Sequence, residues 1–220
     1  VRVWDRSDGR VVAFWDGLGE PINALTWSAD GDQLWLGTFT GELAILTPAT
    51  GELDLVDAHE GSVKSLARAG ERVASVGRDG CVRMFGPNRA TRFRAGESIL
   101  NGVALSEKGD RLATVSRRNG VELWSDDGEH LAAYRGHPCS AKTVAFSQDE
   151  TLVAAGYYDG TLALWSPESG LAHVERVADA SISQVAFLGR ELLVSTWDAR
   201  GTLALVDPRR GVVSRISVAA

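Results

Sequence analysis

The chain has 220 residues, of which 44% are hydrophobic and 24% are charged, values that exclude a disordered chain and allow one well-packed domain. Its 23 basic and 29 acidic residues give a net charge of −6, so a nucleic-acid partner is not expected. No apolar run approaches the roughly 18 residues of a spanning helix, and the first residues lack a signal-peptide pattern, so a membrane partner is not expected either.

Runs of alternating apolar and polar residues recur along the chain in one order: strand, polar turn, second strand, tight glycine turn, third strand. The order is clearest in residues 24–46, 103–124 and 144–165. The third strands are predicted to end at Trp4, Leu46, Phe85, Trp124, Trp165 and Val206. The spacing between these positions is about 40 residues, which is typical of the repeat unit of a radial β-architecture.

One more alternating run follows each third strand, so four strands per unit are predicted. These fourth strands begin at Val11, Glu52, Ala90, His130, Ala172 and Val212. The predicted units span residues 1–20, which form half a unit, and then 21–59, 60–97, 98–137, 138–179 and 180–220. Because the chain opens inside a unit, we expect it to be a fragment of a longer array.

Tight turns are predicted where a glycine follows a short polar residue, at Asp79-Gly80, Asn119-Gly120 and Asp159-Gly160. A two-residue hairpin turn requires positive φ, which glycine adopts without steric cost. These turns should therefore join the second and third strands of their units.

These features resemble the WD-repeat family over the whole chain. The matching pieces are the segment 1–5, which reads VRVWD, the pairs Ala58-His59 and Gly136-His137, and the endings Leu123-Trp124 and Leu164-Trp165. The resemblance implies an all-β fold, a β-propeller of four-stranded antiparallel blades. Five complete blades and half of a sixth would be present, as part of a six- or seven-bladed propeller.

In the family, a histidine, a hydroxyl residue, an aspartate and a tryptophan form a buried hydrogen-bonded set within a blade. The resemblance assigns these structural roles to His59, Ser75, Asp79, Trp124, His137, Asp159 and Trp165. No repeat holds the complete set, because Phe85 replaces one tryptophan and Ala155 replaces one hydroxyl residue. Such blades should depend more on apolar packing.

Two series of residues recur once per blade and are the candidate partner-binding face. One series, just before the tight-turn acid, consists of Phe39, Arg78, Arg118, Tyr158 and Trp197. The other, at the second residue of each first strand, consists of Asn23, Lys64, Asn101, Lys142 and Ser183. Aromatic and arginine side chains are enriched at interfaces, which favours a partner segment that is acidic or contains aromatic residues. The alternative is that Tyr158 and Trp197 pack against neighbouring blades and the lysines are merely solvated.

The sequence offers no catalytic, metal or cofactor site. Its four histidines lack ligand spacing, and no phosphate loop or nucleophile elbow is present. The isolated Cys81 and Cys139 indicate a reducing compartment, so a cytoplasmic location is expected. We interpret the chain as a non-catalytic scaffold or recognition module for proteins, without a small-molecule substrate, and as the sensor or scaffold part of a larger protein. A propeller enzyme of hydrolase or lyase type and a self-associating structural module remain as alternatives.

Overall fold

The computed structural model describes residues 1–87, 89–118, 120–199 and 201–217. All regular secondary structure within these residues consists of β-strands. A half blade consists of β1 (Arg2–Trp4) and β2 (Val11–Phe14). Blade 1 consists of β3 (Ile22–Trp27), β4 (Leu34–Thr38), β5 (Glu42–Thr47) and β6 (Glu52–Asp57). Blade 2 consists of β7 (Val63–Ala69), β8 (Arg72–Gly77), β9 (Cys81–Phe85) and β10 (Ala90–Arg94).

The next three blades repeat the same pattern. Blade 3 consists of β11 (Leu100–Leu105), β12 (Arg111–Ser116), β13 (Val121–Ser125) and β14 (His130–Tyr134). Blade 4 consists of β15 (Ala141–Phe146), β16 (Val153–Tyr157), β17 (Thr161–Trp165) and β18 (Ala172–Arg176). Blade 5 consists of β19 (Ile182–Leu188), β20 (Glu191–Thr196), β21 (Thr202–Asp207) and β22 (Gly211–Ser217).

Each complete blade is an antiparallel sheet in which the strands follow chain order, and β1 pairs with β2 in the same way. The predicted fold class, five four-stranded blades and a half blade, is therefore confirmed. The predicted third-strand ends fall within one residue of the ends of β1, β5, β9, β13, β17 and β21. No helix in the described part of the chain has the length and apolar character needed to cross a membrane.

Burial within a blade falls from the inner strands to the fourth strand. β16 and β17 are buried at every residue, whereas β6 and β18 are almost entirely exposed. The first strands of consecutive complete blades lie next to one another, so the blades are arranged around a common hub.

The apolar cores lie between blades rather than inside them. Val121 and Leu123 of blade 3 pack with Val153 and Tyr157 of blade 4 in one buried cluster. Equivalent clusters join blade 2 to blade 3 and blade 4 to blade 5. Because a single sheet cannot cover its own apolar faces, each blade depends on its neighbour for stability.

Close backbone approach occurs where the second strand of a blade meets the first strand of the next. A Cβ on Gly156 would lie 2.5 Å from Cγ2 of Ile182, and one on Gly37 would lie 2.5 Å from Cγ1 of Val63. In the tight turns, Gly80, Gly120 and Gly160 have φ values of 73°, 71° and 84°, as hairpin turns require. Asn119, the other half of one predicted turn, lies outside the described residues.

Candidate functional site

The second residue of every first strand occupies a β-bulge. In each complete blade the pairing between the first and second strands shifts at this residue, which has no partner in the ladder. The residues at these bulges are Asn23, Lys64, Asn101, Lys142 and Ser183. A bulge re-aims the side chain it carries, and here it does so at the same level of all five blades. One predicted series thus corresponds to one recurring backbone feature.

Two of the bulge residues link neighbouring blades. Asn23 Nδ2 donates to the Val63 carbonyl at 3.1 Å, and Asn101 Nδ2 donates to the Ala141 carbonyl at 2.8 Å. The Ser183 hydroxyl lies 2.7 Å from that of Ser195 within its own blade. The two asparagines thus link neighbouring blades at the hub, and Lys64 and Lys142 are the charged members of this series.

In blades 1, 2, 4 and 5 the residue that follows the second strand is held by a backbone hydrogen bond to the start of the same blade. Phe39 N–H donates to Pro21 O, and the same bond recurs for Arg78, Tyr158 and Trp197. We call the surface formed by these residues and the five bulge residues the turn face.

In blade 3 the strand register places Arg117, not Arg118, at the equivalent position. Leu100 pairs with Ser116, as Val63 pairs with Gly77 just before Arg78. The predicted residue Arg118 is therefore one residue too far along the chain, although its side chain is also exposed on the turn face.

The three aromatic side chains of the turn face are open to solvent. Trp197 exposes 73% of its surface, Phe39 exposes 55% and Tyr158 exposes 41%. Most of the Trp197 ring is thus available for contact, in contrast to the packing between blades that the alternative interpretation required. An exposed ring on a fixed backbone loses little conformational entropy on binding.

Lys142 joins blades 4 and 5 on the turn face. Its ammonium group lies 4.5 Å from the centroid of the Trp197 ring and 5.6 Å from that of Tyr158, within the range of cation–π attraction. Partial burial lowers the pKa of Lys142 below its usual 10.5. We call Lys142, Tyr158 and Trp197 the aromatic cluster.

An open depression of about 580 Å³ lies on the turn face between blades 2 and 3. Its walls are formed by Arg78, Glu97, Ser98, Ile99, Arg117 and Arg118. We call it the arginine depression. Its three arginines and one glutamate give its lining a net charge of +2, on a chain whose net charge is −6. The chain is therefore locally basic where the two blades meet.

The buried hydrogen-bonded set of blade 2 is complete except for its tryptophan. His59 Nδ1 lies 3.0 Å from Asp79 Oδ1, and His59 Nε2 lies 2.9 Å from Ser75 Oγ. Burial lowers the pKa of His59 below 6.5, and this effect outweighs the opposing influence of Asp79. Burial would raise the pKa of Asp79, but hydrogen bonds from Cys81 N–H and His59 hold it below 3.8.

Serine, histidine and aspartate are the residue types of hydrolytic triads, but this set cannot reach a substrate. The His59 side chain is 0% exposed and that of Asp79 is 4% exposed. Its hydrogen bonds join the segment before β7 to β8 and to the turn that follows β8, and the structural role that the family resemblance implies stays a prediction. The part of the chain that the structure describes contains no cluster of three or more His, Cys, Asp or Glu side chains suited to a metal.

The other two sets are partial. In blade 4, His137 Nε2 lies 2.9 Å from Asp159 Oδ2, while Ala155 offers no hydroxyl group. In blade 3, Trp124 Nε1 donates to Thr114 Oγ1 at 3.0 Å. Sequence reasoning missed Thr114, although its distance of ten residues from Trp124 equals that of Ser75 from Phe85.

Comparison with known proteins identifies one repeat directly. The family model described as WD domain, G-beta repeat (WD40) matches residues 128–166, which run from the last strand of blade 3 through the third strand of blade 4. No curated protein is detectably similar to the chain in sequence.

The fold itself is found among solved structures. A chain in the structure described as "Crystal Structure of Mitotic Checkpoint Complex" is similar with a TM-score of 0.86 and 19% sequence identity. The match covers 98% of the present chain and 73% of the other. Since the matched repeat is one of five blades with the same strand order and the same bulge, the chain has a β-propeller fold with a WD40 repeat at residues 128–166, and this fold typically serves protein–protein interaction and is usually non-catalytic.

Proposed function

We propose that this domain is a non-catalytic recognition module that binds an acidic segment of a partner protein on its turn face. The observation that carries the proposal is the composition of that face, where three arginines and the aromatic cluster are exposed on rigid turns. Tryptophan, tyrosine and arginine are the residues that most often dominate binding energy at protein interfaces.

The charge distribution supports an acidic partner. The chain as a whole is acidic, so an acidic segment is repelled from most of its surface. The arginine depression reverses this sign locally, and electrostatic complementarity would guide the segment toward it.

The similar solved chain belongs to a multiprotein assembly by its description, which is consistent with a protein partner for the present domain. The inaccessible Ser75–His59–Asp79 set gives no support to the enzyme alternative. A recognition module therefore accounts for more of the observed surface than a hydrolase does.

The proposal is tested by selecting 12-residue random peptides on the purified domain by phage display. We expect the selected peptides to be enriched in Asp and Glu, and Trp197→Ala and Arg117→Ala to weaken their binding by about tenfold each. Arg190→Ala is the matched control, because Arg190 is an exposed arginine in the turn between β19 and β20, at the opposite end of the strands.

Thermal unfolding of each variant separates loss of binding from loss of folding. Selected peptides that lack acidic residues, or that bind the Trp197 and Arg117 variants as well as they bind the parent domain, would contradict the proposal.

A further inference from the structure

We propose that the arginine depression binds a phosphate monoester, carried by a phosphorylated serine or threonine of the partner segment. The proposal rests on the proposed function, in which such a segment lies on the turn face, and it names the chemical group that the depression accepts.

Three arginines converge there from two blades. Arg78 follows β8, while Arg117 and Arg118 follow β12, and residues 97–99 lead into β11 between them. The segment that leads into blade 3 thus forms one wall and the turns of two blades form the others. A depression of about 580 Å³ has room for a phosphate and for the residues on either side of it.

The guanidinium groups of Arg78, Arg117 and Arg118 have no acidic partner among the described residues. Some arginines elsewhere in the chain have such a partner: Arg72 lies 2.5 Å from Asp126, and Arg135 lies 2.6 Å from Glu122. Within the described part of the chain, no ion pair joins the carboxylate of Glu97 to the three arginines of the depression. The three arginines of the depression therefore lack an oxyanion partner.

The amount of charge favours a phosphate over a carboxylate. A phosphomonoester carries about −1.5 to −2 at neutral pH, which matches the net charge of +2 of the lining, whereas a glutamate of the partner would supply only −1. Three tetrahedrally arranged oxygens can also accept paired N–H bonds from more than one guanidinium fork. The Ser98 hydroxyl, which is buried without a hydrogen-bond partner among the described residues, would add a donor after rotation about its χ1 angle.

The backbone that carries the arginines is fixed before any ligand arrives. Arg78 N–H donates to Ser62 O at 3.0 Å, and the stem of Arg78 lies beside Gly61, where a Cβ would be in ordinary contact with it at 3.6 Å. Arg117 O accepts a hydrogen bond from Ser140 Oγ at 2.9 Å. Fixed backbones lower the entropy that binding costs, because only the guanidinium ends remain to be ordered.

The same hydrogen bond connects the depression to the aromatic cluster. Ser140 O accepts a bond from Tyr158 N–H at 3.1 Å, so a short path runs from Arg117 through Ser140 to Tyr158. A segment with its phosphate in the depression can therefore extend its neighbouring residues toward Tyr158 and Trp197.

The test measures fluorescence anisotropy with three degenerate nine-residue peptide libraries, whose central residue is phosphoserine, serine or glutamate. We expect the phosphoserine library to bind about tenfold more tightly than the glutamate library, and the serine library to bind least. Arg78→Ala, Arg117→Ala and Arg118→Ala should each reduce the phosphoserine binding by about fivefold or more. Arg117→Lys should not restore it fully, because lysine keeps the charge but loses the planar fork.

Arg190→Ala serves again as the control, and a single-stranded oligouridine of matched charge tests whether any phosphate suffices. Equal binding of the phosphoserine and glutamate libraries would overturn the inference while the proposed function stands. Tighter binding of the oligouridine than of the phosphoserine library, or indifference to the three alanine variants, would overturn the inference as well. If no library binds, both the inference and the proposed function fail.

Discussion

At the scale of single residues, His59 couples the stability of blade 2 to pH. Its imidazole is fully buried between Asp79 and Ser75, and burial lowers its pKa below 6.5. Between the folded and unfolded pKa values the unfolded chain binds the additional proton, so acid favours unfolding. The stabilising effect of a neutral His59 is complete above about pH 6.5 and is lost as the pH falls through that value toward the folded pKa.

We therefore expect the free energy of unfolding to fall between pH 7.5 and pH 5.5, with a slope from this group of at most about 1.4 kcal/mol per pH unit. Urea unfolding at several pH values measures it. His59→Gln should be less stable at pH 7.5 and should lose this slope, whereas His173→Gln, on the exposed fourth strand of blade 4, should keep it. Identical slopes in the parent and in His59→Gln would show that the pH response arises elsewhere.

Thr114 stabilises blade 3 through the hydrogen bond that it accepts from Trp124 Nε1. Thr114→Val keeps the shape of the side chain but leaves the indole N–H without its acceptor, and we expect a loss of about 1–2 kcal/mol in the free energy of unfolding. Thr50→Val, in an exposed turn, should change stability by less than about 0.5 kcal/mol. An unchanged Thr114→Val variant would mean that water replaces the hydroxyl.

The hydrogen bond to Thr114 also marks a limit of prediction from the sequence. The family resemblance predicts a structural role for Trp124 but does not identify its partner, because blade 3 has Ala95-Gly96 where the family pattern has Gly-His. Without the histidine, the pattern does not indicate the set. The spacing of ten residues between the two was available, since it recurs between Ser75 and Phe85.

At the scale of strands and turns, the alternation of apolar and polar residues was sufficient to predict every blade. It could not predict the bulge in each first strand, because a bulge depends on which residues pair across the ladder and not on the period of one strand. The same limit explains the error at Arg118. Counting back from Gly120 gives Arg118, but Gly120 lies one residue closer to its tryptophan than Gly160 does, and the pairing of Leu100 with Ser116 identifies Arg117.

The contact between β16 and β19 depends on the missing side chain of Gly156. A methyl group there would lie 2.5 Å from Ile182 and 2.8 Å from Thr143, and both neighbours belong to packed strands. Gly156→Ala should therefore reduce the free energy of unfolding by about 1–3 kcal/mol.

Gly17→Ala is the matched control, because no atom lies within 4 Å of a Cβ at Gly17. The double variant Gly156→Ala, Ile182→Ala should lose less free energy of unfolding than the sum of the two single losses, which a double-mutant cycle in urea measures. Additive effects of the two substitutions would argue against a steric clash at this contact.

At the scale of the whole molecule, stability should be graded along the row of blades. Blades 2, 3 and 4 share buried clusters with neighbours on both sides, and β12 and β16 are buried along almost their whole length. Opening one of these blades exposes the apolar faces of two others. The half blade is different, since its large apolar side chains are already exposed, including Trp4, Val12 and Phe14.

Hydrogen exchange followed by mass spectrometry should resolve this gradient. We expect amides of β12 and β16 to exchange slowest, at rates set by global unfolding, and those of β1 and β2 to exchange fastest, because opening the half blade exposes little additional apolar surface.

Measurements at two protein concentrations about tenfold apart provide the control, since protection within one chain does not depend on concentration. Protection of β1 and β2 that equals that of β12 at both concentrations would contradict the gradient, because it would require the half blade to open only together with the centre of the array. Protection that rises with concentration would instead mean that a second copy covers Trp4 and Phe14, and the exchange rate of the half blade would then report association rather than the coupling between blades.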